Sequence, residues 1–133
     1  LIMTEDKSEI MADKLVSLPA TQKYVRHRDI WDLVHLSQEK AVVRPDLVLN
    51  KVRDYQIEEY EAKLNAMIER LPEIIRGKLF RDEMNRFLPA DVIERTLAKG
   101  KFSDFLQSRV ISLLTDVRDE IDPDKSASPS FSM

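Results

Sequence analysis

The chain has 133 residues with 43% apolar content, and its 21 Lys and Arg stand against 24 Asp and Glu for a formal charge of -3. That is the size of one compact domain with a real core and too little for two ordinary ones, and the charge excludes bulk attraction to nucleic acid or acidic membrane, so any such binding needs a local patch. Cysteine is absent and only two histidines occur, which removes disulfides, thiolate catalysis, Cys-based zinc or iron–sulfur sites and any His-rich metal site.

No apolar run approaches the roughly 20 residues that span a bilayer, and no signal-peptide pattern opens the chain. The cytoplasm is therefore the expected compartment, with no membrane partner. The first residue is Leu1 rather than methionine, which fits a cut piece of a longer protein, a tag remnant or translation from Met3.

With only Gly77 and Gly100 as glycines and no alternating strand pattern, the expected fold is all-α: one bundle of about six to seven helices over residues 1–121, with a short extended lead-in at 1–4. Asp6 and Glu9 stand in capping-box spacing for a first helix that Pro19 stops. A second helix is expected over 26–38. Pro45, at a first-turn position, opens a short third one to residue 55. Ile57, Tyr60, Leu64, Met67, Ile68 and Leu71 repeat at threes and fours, the stripe of a fourth helix that Pro72 ends. Residues 72–87 read as one kinked helix or two short ones broken near Gly77. Pro89 opens another that Gly100 closes. Phe102, Phe105, Leu106, Val110, Leu113, Leu114, Val117 and Ile121 then line one face of a long last helix. From residue 122 onward "DPDKSASPSFSM" is small, polar and twice interrupted by proline, the composition of a disordered tail.

Two charges fall on apolar arcs. At about 100° per residue, Lys14 lies within the arc of Ile10, Met11, Leu15 and Leu18. Asp29 lies between Leu36 and Leu33 on the second helix, with Asp32 just beyond the edge. A sheltered charge needs a partner, a shifted pKa or a wet cleft. The structural alternatives are a snorkelling Lys14 with Asp29 at the positive end of its helix, or a Lys14–Asp29 ion pair. Lys23, Arg26, His27 and Arg28 form a basic cluster that suits phosphate oxygens, with a solvated helix start as the alternative. Trp31 reads as a core anchor.

"EIMADKLVSL" followed by "YVRHRDIWDLVHL" resembles the carboxyl-terminal motifs of the AbiEii/AbiGii toxin family, nucleotidyltransferase-like proteins of bacterial toxin–antitoxin and phage-defence systems. The later "LPEIIRGKLFRDEMNRFLP" and the closing helix look like the helical tail of some members. The resemblance implies that Lys14 holds a nucleoside triphosphate and that Asp29 assists transfer as base or by orienting the lysine. Asp32 is the fallback acid, Arg28 is a phosphate or structural partner, and Arg26 is a further phosphate contact. It further implies Mg2+ and NTP for the full-length protein, neither held by this chain alone, with an amino-terminal nucleotidyltransferase domain, an antitoxin and an RNA acceptor such as a tRNA end as partners.

Departures from the family pattern are informative. Its glycine–serine turn and magnesium-holding strand carboxylates have no match here, Asp122 and Asp124 lack such a turn, and Pro19 stands where the motif helix of the family continues to an arginine. The expectation is a carboxyl-terminal helical portion that is inactive by itself and carries no metal ligands. The competing expectation is a non-catalytic helical module that binds protein or nucleic acid.

Overall fold

The computed structural model describes residues 6–121; the expected lead-in at 1–4, the tail and Asp122 and Asp124 lie outside them. Among the described residues there are seven helices and no strand, as the all-α reading anticipates. They are α1 (Lys7–Ala20), α2 (His27–Gln38), α3 (Pro45–Asp54), α4 (Tyr60–Arg76), α5 (Lys78–Phe87), α6 (Ala90–Arg95) and α7 (Gly100–Ile121). None is long and apolar enough to cross a membrane.

Helix α1 starts where Asp6 accepts a hydrogen bond from the Ser8 N–H at 2.9 Å, the side-chain cap its spacing predicts. Its Met11, Ala12, Leu15, Val16 and Leu18 are buried, and this face packs against α2, α3 and α4. The long α7 closes the bundle by packing on α2, α3 and α4, and buries Leu106, Val110, Leu113, Leu114 and Val117. Full burial of each large side chain contributes about 1.5–3 kcal/mol, and these two faces supply nearly half of the core, with Tyr60, Leu64, Met67, Leu71 and Ile75 of α4 adding a further share. Trp31 is 4% exposed and sits 5.7 Å from the Phe102 ring, the core anchor its position suggests.

Four expected boundaries move. Pro19 does not stop α1 but sits in its last turn. A proline there cannot donate to the Leu15 carbonyl, and the Tyr60 hydroxyl donates to that oxygen instead, at 2.8 Å in a buried setting. The fourth helix begins at Tyr60 rather than Ile57 because Gln56 (φ 57°) and Glu59 (φ 54°) adopt the left-handed region, which turns the chain out of α3. Pro72 lies inside α4 rather than ending it. Leu71 and Ile75 around it are buried, and that burial offsets a proline cost of about 3 kcal/mol. Gly100 opens α7 rather than closing α6, which ends at Arg95 through a turn in which Ala98 N–H bonds Ile93 C=O at 2.9 Å. The break at Gly77 stands as expected.

The Tyr60 bond is worth a direct test. Tyr60→Phe should cost about 1–2 kcal/mol in urea unfolding by leaving the Leu15 carbonyl unsatisfied. In a Pro19→Ala background, which supplies the missing helical N–H, the same substitution should cost clearly less, and a double-mutant cycle measures the difference.

Candidate active site

Lys14 and Ser17 are three residues apart on α1, and Asp29 and Asp32 are three apart on α2, so each pair shares a helix face. Packing of α1 on α2 brings the two faces together. Lys14 Nζ lies 3.2 Å from Asp29 Oδ1 and 3.1 Å from Asp32 Oδ2. The other oxygen of Asp29, Oδ2, accepts from Ser17 Oγ at 2.9 Å and from Arg26 Nε at 2.6 Å. The Asp29 side chain is only 3% exposed, whereas those of Lys14, Asp32 and Arg26 are 21%, 35% and 38% exposed. A buried carboxylate thus has both oxygens engaged by donors that each keep an edge toward solvent.

The placement has local causes. Asp29 lies in the first turn of α2, where the positive end of the helix favours a carboxylate. Arg26 is the residue just before the helix and needs no long reach to meet it. The loop between α1 and α2 leaves α1 with Thr21, which donates its hydroxyl and its N–H to the Ser17 carbonyl at 2.8 and 3.1 Å. Those bonds hold the end of α1 where Ser17 faces α2.

Burial alone would lower the Lys14 pKa, but the Asp29 charge and the hydrogen bonds to Asp32 and Asp29 outweigh it, and the net shift is upward. The hydrogen bond to Asp29 likewise raises Arg26 against the opposing effect of burial. An ammonium has three donors, and the two carboxylates take two, which leaves one for a ligand. His27 sits edge-on to Phe80 at 5.8 Å, and burial lowers its pKa against the opposing charge of Glu83. Next to the cluster is a recess of about 220 Å³ whose lining includes Tyr24, Arg26, Arg28 and Asp29.

Of the residues singled out from the sequence, Lys14, Asp29, Asp32 and Arg26 converge. Arg28 does not join them. One position round the helix from Asp29, it turns to α5, with Nε 3.3 Å from Glu83 Oε2 and its guanidinium 4.5 Å over the Phe87 ring. Ser17 was not foreseen. Its position three residues beyond Lys14 was the available signal, and a lone serine at the edge of an apolar arc did not stand out. Among the described residues, no group of three or more His, Asp or Glu could hold a metal ion.

A family model described as "Nucleotidyl transferase AbiEii toxin, Type IV TA system" matches residues 1–108. No curated protein and no solved structure matches the chain.

The unequal burial of the two acids predicts unequal costs. Asp29→Ala strands two cations and a hydroxyl and should lose about 2 kcal/mol, below the roughly 3–5 kcal/mol of a fully buried pair because Lys14 and Arg26 retain solvent. Asp32→Ala should lose at most about 1 kcal/mol. Urea unfolding of both variants checks the order. Because the Lys14 pKa is raised above its ordinary 10.5, its stabilising effect is complete below pH 10.5 and is lost as the pH climbs through the folded value. Alkaline unfolding of Lys14→Met should lack that component.

Proposed function

The chain belongs to the AbiEii nucleotidyl transferase toxin family of type IV toxin–antitoxin systems, and from that premise we propose that residues 1–121 are the helical carboxyl-terminal portion of such an enzyme, bringing Lys14 and Asp29 to an NTP-dependent transfer site that an amino-terminal domain completes. The observation that carries this reading is the convergence of Lys14, Asp29 and Asp32 across α1 and α2, the residues on which the family motifs fall. The antitoxin counterpart follows from membership of such a system. An RNA acceptor, such as a tRNA end, is part of the proposal.

Nucleotidyl transferases use a nucleoside triphosphate and, in general, a divalent metal that neutralises it. The cluster does not fit that metal. Both oxygens of Asp29 and one of Asp32 already face cationic or hydroxyl donors, and a divalent ion between them would sit against the Lys14 ammonium. Carboxylates from the completing domain are the expected metal holders.

In the transfer itself, an acceptor hydroxyl oxygen bonds to the α-phosphorus, the bond from that phosphorus to the bridging oxygen breaks, pyrophosphate leaves, and the hydroxyl proton passes to a base. Lys14 serves the leaving side. A unit charge pair at 4 Å is worth on the order of 1 kcal/mol in bulk water and on the order of 4 near a protein surface, so an ammonium in a sheltered notch stabilises developing phosphate charge that a free lysine would not. Asp29 is the positioning residue: with both oxygens engaged and its side chain buried, it fixes the lysine and is out of reach of a substrate hydroxyl. Asp32, about one-third exposed, is the carboxylate a substrate hydroxyl can reach, so the role of base falls to it. Arg26 keeps donors beyond its Nε for a phosphate oxygen.

Transfer of labelled nucleotide by the complete protein tests this. Lys14→Ala should lower transfer by about 10²–10³-fold or more. The melting temperature should fall by no more than about 5 °C, since Arg26 and Ser17 still satisfy Asp29. Transfer retained in that variant would remove Lys14 from the mechanism and leave the cluster a structural ion pair.

A further inference from the structure

Two recesses on the molecule share a wall. The one beside Asp29, of about 220 Å³, includes Val25 and His27 in its lining. A second, of about 340 Å³, begins at the same two residues and runs to Arg70, Ile74, Lys78 and Leu79 where α4 meets α5 at Gly77. The two adjoin at Val25 and His27, and read together they extend as a trough from Arg26 and Asp29 of the cluster to the α4–α5 corner.

The lining has the composition of a polynucleotide track. Tyr24 is 60% exposed and Leu79 74% exposed, so a flat ring and an apolar side chain face solvent at the two ends. Arg26, Arg28, Arg70 and Lys78 line the trough, and Lys23 precedes Tyr24 in the chain. Arg70 and Lys23 are in no ion pair among the described residues, and the Lys78–Asp82 pair is solvent-exposed and readily exchanged for a phosphate. Of the lining carboxylates, Asp29 is held by Lys14 and Arg26, and Glu83 lies between Arg28 and Arg86 at 3.3 and 3.1 Å. Among these three lining acids, Glu73 alone is in none of the ion pairs. The chain as a whole is acidic, whereas this lining carries four cations against three carboxylates, with Arg70 and Lys78 the two not committed to a lining acid.

The aromatic end is tied to the site. The Tyr24 hydroxyl is 3.4 Å from Arg26 Nη1, and Arg26 Nε is 2.6 Å from the carboxylate that holds Lys14. We propose that the trough is a binding track for a single-stranded polynucleotide, with phosphates on Lys23, Arg26, Arg70 and Lys78 and a base stacked on Tyr24 beside the Lys14 cluster. Stacking on an exposed ring suits unpaired bases of any sequence, whereas a duplex keeps its base faces covered. The acceptor assignment rests on the transfer reading above, in which the strand end arrives at the cluster by way of Tyr24.

The test is fluorescence anisotropy of a labelled single-stranded RNA of about eight nucleotides with the full chain, without nucleotide or metal. Failure there leaves the Lys14 transfer test standing, and loss of the transfer reading leaves this binding to be measured. Affinity should fall steeply with salt, with a log–log slope of about -3 for four phosphates. The double substitution Arg70→Glu with Lys78→Glu should weaken binding at least tenfold. Tyr24→Ala should weaken it about fivefold or more, with binding regained in Tyr24→Trp, and Glu73→Gln should tighten it. Arg53→Glu on α3, which packs on α1 and α7, matches the charge change of Arg70→Glu or Lys78→Glu taken singly; it should bind as the unaltered chain does, while each of those singles weakens binding. These side chains are exposed, so melting curves should coincide. Unchanged affinity in the double variant, an equal loss in Arg53→Glu, or tighter binding of duplex RNA or of a polyglutamate peptide would overturn the track.

Discussion

One buried carboxylate sets the terms for the rest of the molecule. An ionised Asp29 with almost no exposure would be costly by several kcal/mol if left alone, and it is matched by donors from three directions: Lys14 and Ser17 on α1 and Arg26 before α2. Because those donors come from separate segments, the requirement is geometric as well as energetic. A shift of α1 along α2 by a single turn, about 5.4 Å, would strip Lys14 and Ser17 from the carboxylate and leave it only the local Arg26, so the pairing favours one register of two helices that apolar contacts alone would hold less specifically. The same demand decides which groups stay reachable. The acid is locked inside, and the lysine, arginine and second acid remain at the rim.

The prolines show a related economy. Proline in a helix removes a donor, and the consequence depends on what the freed carbonyl meets. At Pro19 the deficit is met by a hydroxyl from another helix, so a local defect becomes a tertiary tie between α1 and α4. Burial of that hydroxyl raises the Tyr60 pKa, so it stays a donor at physiological pH. At Pro72 the helix simply continues, because the apolar stripe of α4 runs on through Leu71 to Ile75 and the burial is worth more than the lost bond.

These cases explain what could be read from the residues alone. Helix content, the apolar stripe of α4 and the face of α7 follow from spacing. So does the anomaly of Lys14 and Asp29, since a charge on an apolar arc is visible without coordinates. Helix ends were less legible. Proline in a sequence reads as a terminator, while its real effect is set by partners distant in the chain, and the start of α4 depends on left-handed Gln56 and Glu59, types with no special preference for that region. Arg28 shows the same limit at the site. Its adjacency to Asp29 suggested a shared role, but one step round a helix turns it to Glu83 and Phe87, residues more than 50 positions away. Ser17 escaped notice for the opposite reason, as a small side chain whose importance comes entirely from what it touches.

The position of α7 in chain order has a consequence for biosynthesis. The pairing of Lys14 with Asp29 spans 15 residues, so it can form soon after α2 clears the ribosome. Helices α2, α3 and α4, by contrast, receive α7 only after it emerges from residue 100 onward. At translation rates of about 5–20 residues per second, the nascent bundle spends seconds with its apolar side uncovered. Within this bundle, closure by α7 therefore comes after the ionic cluster has had time to assemble.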